Sequence, residues 1–259
     1  MNQTIKSCLA KVADYLNILR GYKFPDYFCE RDRVKVLLFG IEPDVSKILK
    51  KKIKQGMTAI DIGGNVGLIT RICAKRVGKN GHVWVFEPDP KTREFLNYNV
   101  RKCPNVKVSP IAISDENGKA DLNIHPGSGT ANSLVTFEAA SHAIEVECMT
   151  LDTFLDQHPQ ISPDCIKIDV EGAELKVLAG MKETIKRFPS LFIIIEFCPH
   201  NLENGGYTSA DYYNMLNALS LSLEIIYESG ETSVINNLED LINNLGDATY
   251  CNLLCYRKA

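Results

Sequence analysis

The sequence predicts one large α/β domain in which a mostly parallel sheet is covered by helices on both faces. Three observations carry that prediction. From residue 57 onward, short apolar runs at 58–62, 82–87, 107–111, 165–169 and 191–197 alternate with helical patterns at 68–77, 90–102 and 172–188. The runs are continuously apolar instead of alternating, as strands buried on both faces of a parallel sheet are. The first run leads straight into a glycine-rich turn that opens a helix, a unit that lies at the carboxyl edge of an open α/β sheet.

The remaining elements follow in order. Residues 1–55 read as an N-terminal helical extension, interrupted at Phe24-Pro25-Asp26-Tyr27-Phe28, and residues 56–259 as the domain itself. Between 112 and 150 the strand–helix alternation breaks. Two short strands, 120–125 and 143–149, are expected there as an antiparallel excursion near the working edge of the sheet, around a Gly/Ser/Asn-rich loop at 127–133. Near the C-terminus, 222–227 and 249–256 read as an edge hairpin. The expected total is a seven-stranded sheet with an antiparallel strand at its edge.

Composition narrows the function classes. The chain has 259 residues, 45% hydrophobic and 24% charged, enough for a well-buried core. A net charge of −3 gives no global basic field, so nucleic acid is not an expected partner. The basic run Lys47 to Lys54 has no interleaved aromatic residues and reads as a solvated helix end. No apolar run approaches the roughly 20 residues that span a bilayer, and the N-terminus lacks the apolar core of a secretory signal. Nine cysteines, scattered and without a CxxC pair, fit a reducing cytoplasm better than disulfides or zinc.

The most informative stretch is Asp61-Ile62-Gly63-Gly64-Asn65-Val66-Gly67. Its spacing is Asp-x-Gly-x-Asn-x-Gly, with Asn65 where a dinucleotide-binding loop has its second glycine. Such a loop offers backbone N–H groups to a pyrophosphate. Here Asp61 adds a carboxylate, which suits a cation better, and S-adenosylmethionine carries a sulfonium and an ammonium without phosphate. Gly63, Asn65, Gly67 and Asp61 are therefore expected to hold that cofactor. Glu87, which ends the next strand 20 residues after Gly67, is placed to accept both ribose hydroxyls. Asp89 and Pro90 read as the cap and first position of the following helix. Ser114 and Asp115, after the third strand, are candidates for the adenine amino group, with a plain turn as the alternative.

Acids recur at the later strand ends. Asp169 and Glu171 follow the strand at 165–169, and Glu196 with His200 follows the one at 191–197. Crowded carboxylates imply a cation among them, either the cofactor's own charges or a divalent metal such as magnesium. Lys167, between Ile166 and Ile168, is expected to be paired or functional instead of free in the core. Glu174 reads mostly as helix N-terminal charge.

Together Asp61 to Gly67, Phe86-Glu87-Pro88, Ala112-Ile113-Ser114-Asp115, Thr150-Leu151-Asp152 and Ile166 to Glu174 resemble the FkbM family of methyltransferases, over about residues 38–200. The segment Lys167 to Glu174 is the most specific part. The resemblance implies a Rossmann-like class I methyltransferase fold and O-methylation, commonly of sugar or polyketide hydroxyls, with S-adenosylmethionine as donor. Gly64 stands where the family often has alanine, a departure expected to be harmless. An alcohol acceptor needs a general base or a metal to lose its proton, and Asp169, Glu196, His200 and Lys167 are the candidates for that chemistry, with Asp169 and Glu171 also facing the cofactor. The loops at 127–133 (Asn132, Ser133) and 198–207 are expected to shape the pocket of a small-molecule or glycan acceptor. Two other classes compete: a nicotinamide-dependent oxidoreductase on the same fold, and a non-catalytic protein that only binds S-adenosylmethionine.

Overall fold

The structure, a computed structural model, describes residues 12, 16–26, 28, 33–34, 36, 42–125, 132–136 and 140–258. Parts of the predicted extension and most of the loop at 127–133 lie outside these residues. Helix α1 (Pro43–Lys52) precedes β1 (Thr58–Ile62), α2 (Leu68–Val77), β2 (His82–Phe86), α3 (Pro90–Val100) and β3 (Val106–Ser109). A small sheet follows, from β4 (Ala112–Ile113), β5 (Gly118–Ile124) and β6 (His142–Met149). Then come α4 (Leu151–Gln157), β7 (Cys165–Ile168), α5 (Glu174–Ala179), α6 (Lys182–Arg187), β8 (Phe192–Phe197), α7 (Pro199–Asn204) and α8 (Ser209–Ala218). The chain ends with β9 (Leu221–Ile226), β10 (Thr232–Ile235), α9 (Leu238–Leu245) and β11 (Cys251–Arg257).

The main sheet has the order β10-β9-β11-β8-β7-β1-β2-β3, parallel from β8 to β3 and antiparallel beyond. It holds eight strands where seven were expected. The segments at 222–227 and 249–256 do pair antiparallel, yet β11 lies between β8 and β9, and the unforeseen β10 takes the edge. The reason is burial on both faces: Leu253 joins one core cluster and Leu254 the other, which an edge hairpin would not require. The helical pattern at 172–188 breaks into α5 and α6 at Gly180, where a Cβ would lie 2.0 Å from the Ser114 carbonyl oxygen. The antiparallel pair β5–β6 forms as expected, in its own sheet.

Strand alternation sorts the core into two layers. Ile60, Ile62, Ile166, Ile168, Ile193 and Ile195 face α4, α5 and α8. Ala59, Val83, Cys165 and Ile194 face α1 and α2, whose Val45, Ile48, Leu49, Ile69 and Cys73 complete that layer. Burying each isoleucine contributes about 1.5–3 kcal/mol. Asp61 and Lys167 are the polar members of the second layer and sit opposite each other on β1 and β7. The chain reverses its direction of sheet growth between these two strands, so a crevice opens at their carboxyl ends. Among the described residues no helix is long and apolar enough to cross a membrane.

Candidate active site

The turn after β1 is built by close backbone approach. The Gly63 and Gly64 amides both donate to the Phe86 carbonyl, at 3.1 and 3.0 Å. Gly63 has φ +78°, and a Cβ there would lie 1.8 Å from the Asp169 carbonyl oxygen, so the turn touches the end of β7 directly. Asn65 also occupies the left-handed region, φ +48°, which asparagine tolerates better than most residues. Its amide donates to Glu87 Oε2 at 2.8 Å, while its Oδ1 accepts from the Val66 amide. Gly67, φ +82°, caps α2. At Gly64, where the family often has alanine, a Cβ would meet Val85 Cγ2 at 2.0 Å, so glycine and Val85 fit each other here. Val85 occupies the space that an alanine would need.

Glu87 is buried, and its Oε1 accepts from the Asp89 amide at 3.0 Å. Burial pushes its carboxyl up to about 7 against the pull of these two backbone donors. Asp89 caps α3, as the sequence predicts, by accepting from the Lys91 and Thr92 amides. It also accepts from Asn132 Nδ2 at 3.1 Å, and Ser133 Oγ donates to the Val170 carbonyl at 3.1 Å. These contacts draw the visible end of the 127–133 loop over the crevice.

Two cavities meet at the turn. The first, about 70 Å³, is lined by Ile62, Phe86, Glu87, Ile113, Asn132 and Ser133 among others. Asn132 and Ser133, from the loop expected to shape the acceptor pocket, line this cavity. The second, about 280 Å³, is lined by Glu42, Lys167, Glu196, Asn201, Tyr250 and Asn252 among others. Gly63, Asn65, Asp169 and Glu171 belong to both walls.

The shared wall is acidic and tightly braced. Lys167 Nζ lies 2.7 Å from Asp169 Oδ2, with side-chain exposures of 5% and 22%. Burial alone would lower this ammonium, but Asp169, Glu42 and Asp61 outweigh it and hold it well above its usual value. Glu171 has φ +53°, a strained conformation for a residue with a Cβ, and its Oε2 accepts from Asn201 Nδ2 at 2.8 Å. Burial, then the charges of Asp169 and Glu174, push Glu171 up to about 8. Burial and the same acidic neighbours push Glu196 up to about 10. Glu174 accepts from the Val170 and Gly172 amides, so it braces the loop, a more specific task than charge at a helix end.

Several expected residues sit elsewhere. Asp61 lines neither cavity; its Oδ2 accepts from Thr70 Oγ1 at 2.6 Å, and among the described residues its buried Oδ1 has no partner. Ser114 and Asp115 line neither cavity, and the Ser114 hydroxyl donates to Asp115 at 2.9 Å, while Ala112 and Ile113 form the wall there. His200, on α7, is exposed and lines neither. The expected magnesium finds no ligand set: among the described residues no group of three or more His, Cys, Asp or Glu side chains is placed to hold a metal ion. The cation that the crowded acids demanded is the Lys167 ammonium.

Sequence reasoning missed Glu42, Tyr250 and Asn252, and it covered Asn201 only as part of the 198–207 loop. Two of them carried a signal. Glu42-Pro43 opens a helix with proline at its first position, and Asn252 interrupts an apolar strand much as Lys167 does.

Comparison with known proteins agrees with this geometry. A family model described as the methyltransferase FkbM domain matches residues 61–221. A hexuronic acid methyltransferase, AglP, of Haloferax volcanii is 26% identical over 185 residues, 71% of each chain. A 2-O-methyltransferase, NoeI, of Sinorhizobium fredii is 30% identical over 161 residues, 56% of this chain and 65% of that protein. Among solved structures, a precorrin-6y C5,15-methyltransferase from Geobacter metallireducens aligns over 93% of this chain and 95% of its own, with TM-score 0.50 and 11% identity. That last likeness is one of fold alone.

A glycine turn at the switch point of this sheet, facing a buried acid on the next strand, defines an S-adenosylmethionine-dependent methyltransferase. The chain belongs to the FkbM methyltransferase domain family. The nicotinamide oxidoreductase and the non-catalytic binding protein give way to that assignment.

Proposed function

We propose that the chain O-methylates a sugar hydroxyl, with the nucleoside end of S-adenosylmethionine at the first cavity, its methionine end at the shared wall, and the acceptor arriving from the second. The observation that carries this reading is the wall of Gly63, Asn65, Asp169 and Glu171 common to both cavities. A methyl group presented at that wall meets a hydroxyl arriving from the other side. Two relatives support the acceptor class, one named for hexuronic acids and one as a 2-O-methyltransferase.

Each residue then has a task. Glu87 receives one backbone N–H on each carboxylate oxygen, which leaves a lone pair on each for the ribose hydroxyls. Ile113 and Phe86 provide apolar wall for the adenine. S-adenosylmethionine supplies an electrophilic methyl group on a sulfonium. Glu171 is the general base: it lines both cavities, and a carboxyl titrating near 8 is well matched to neutral pH. Lys167 holds Asp169 in place, and Glu196, pushed up to about 10, stands protonated on the same wall. Asp61 positions the turn from below through Thr70.

The catalytic domain, drawn at 56–259 from the sequence, extends in this reading to α1, whose apolar face belongs to its core. Seven free cysteines among the described residues, four of them buried, support a reducing cytoplasm. The acidic lining supports a small-molecule or glycan acceptor over nucleic acid.

The test combines calorimetric titration with S-adenosylhomocysteine and methyl transfer to a panel of methyl glycosides. Wild type binds and transfers; Glu171→Gln still binds S-adenosylhomocysteine and loses about 10²–10⁴ in kcat. Full activity in Glu171→Gln removes the base assignment, and a wild type that does not bind S-adenosylhomocysteine defeats the whole reading.

A further inference from the structure

We infer that Asn99 is a positioning residue of the glycine turn, and that through it the segment at 20–24 is held down when S-adenosylmethionine binds. The inference rests on the proposed function, since it concerns the turn at which that reading seats the cofactor.

The segment is brought to the turn by its own backbone. The Tyr22 amide donates to the Asn17 carbonyl and the Gly21 amide to that of Ile18, both at 2.8 Å, with Gly21 at φ +81°. This pattern closes the helical turn at 16–19 on a left-handed glycine and redirects the chain. It then runs onto α2 and α3. Arg71, on α2, donates from Nη1 to the Gly21 carbonyl at 2.9 Å and from Nη2 to that of Arg20 at 3.2 Å. Its guanidinium lies 3.9 Å from the centre of the Tyr22 ring. Phe24 packs on Phe28, and both join Val66 and Leu68 in one apolar cluster.

Asn99 joins this segment to the turn. It lies on the face of α3 that also buries Leu96 and Val100, where periodicity calls for an apolar side chain. Only 2% exposed, it spends its amide on three backbone groups. Its Oδ1 accepts from the Lys23 amide at 2.7 Å, while its Nδ2 donates to the Lys23 carbonyl at 2.9 Å and to the Val66 carbonyl at 2.8 Å. Lys23 thus receives the paired bonds of a strand neighbour, and the same side chain holds residue 66.

Val66 stands between Asn65, whose amide donates to Glu87 at 2.8 Å, and Gly67, which caps α2. Val66 and Phe28 both line the second cavity beside Gly63 and Asn65. A cofactor seated on the turn fixes the Val66 carbonyl, and the fixed carbonyl keeps Asn99 aimed at Lys23. Coupling of this kind is reciprocal, so the closed segment strengthens the turn's hold on the cofactor by the same factor. The bonds from Arg71 lie at or near the surface, so the segment opens locally without unfolding of the domain.

The test is amide hydrogen exchange on the full chain, with and without saturating S-adenosylhomocysteine, joined to calorimetric titration of the same ligand. In wild type the ligand is expected to slow exchange of the Tyr22 and Lys23 amides at least about fivefold. Because these amides exchange by local opening, overall stabilisation by the ligand does not reach them. Asn99→Leu is expected to bind S-adenosylhomocysteine about tenfold more weakly and to lose the slowing. Should that variant fail to fold, Arg71→Met, whose side chain meets the segment and not the turn, supplies the second measurement, with affinity about fivefold lower. A segment that only packs against the domain would exchange faster in both variants and ignore the ligand in wild type. Exchange at Tyr22 and Lys23 that does not respond to bound ligand therefore overturns the inference, as does wild-type affinity in the folded variants. In those outcomes the proposed function stands, because S-adenosylhomocysteine has bound; if wild type does not bind it, both fall.

Discussion

Replacing Lys167 with methionine keeps the length of the side chain and removes its charge from a position only 4% exposed. At 2.7 Å and an effective dielectric constant near 20, the attraction to Asp169 amounts to about 6 kcal/mol. Part of that is recovered because no ammonium need be desolvated, and removing one partner of a buried pair costs about 3–5 kcal/mol. That is about a fifth or more of the stability of an ordinary domain. With a urea dependence of about 3 kcal/mol per M, the unfolding midpoint falls by about 1–1.7 M. The single tryptophan, Trp84, packs edge-on to Phe154 at 5.3 Å and reports the transition by fluorescence.

The pH dependence separates charge from packing. Lys167 lowers the carboxyls of Asp61 and Glu42, which burial otherwise raises, so its removal raises both further. An acid whose pKa is raised by folding contributes stability that is complete below its unfolded value and is lost as pH climbs through its folded value. Protons can therefore stand in for the missing ammonium at pH 5 and not at pH 8. The loss in Lys167→Met is expected to be at least twice as large at pH 8. An equal loss at both pH values would refute the reasoning and assign the effect to the packing of the lysine stem.

Three further outcomes follow from the geometry. Glu87→Gln weakens S-adenosylhomocysteine binding about 10–100-fold by calorimetry, the worth of hydrogen bonds to a charged acceptor. Gly64→Ala lowers stability by about 1–3 kcal/mol in denaturant unfolding, because Val85 Cγ2 stands 2.0 Å from the new methyl group; an unchanged midpoint would show that Val85 rotates away freely. The wild type without cofactor loses stability as pH rises from about 5 to 8, since Glu87 and Glu174 (about 7) and Glu171 (about 8) all titrate above their unfolded value near 4.5. Thermal melts across that range check the sign, and a rising curve would contradict it.

The parallel core was legible because doubly buried strands must be apolar throughout, as 58–62 and 191–197 are. The turn at Gly63 was legible because backbone contact with Asp169 admits no side chain there. The same local logic failed for Asp61: an acid at a strand end reads as facing the crevice, yet alternation turns it toward α2 and Thr70. It failed for His200 in a similar way, since an exposed helix face and a cavity wall look identical in a loop of unknown direction. The strand count was missed at β10, whose Thr232-Ser233-Val234-Ile235 is short and three-quarters exposed.

The sequence by itself determined the fold class, the family and the glycine turn after β1, because each depends on residues adjacent in the chain and on periodicities of the backbone. Only the tertiary structure decided which acids share a cavity and which cation answers them. Glu42 and Asn252 line one wall although the brace between their segments, Asp44 to Asn252, joins residues 208 positions apart. That meeting depends on β11 inserting between β8 and β9 and on α1 lying across the sheet. Strand order and layer packing are global minima of burial, and no local pattern records them.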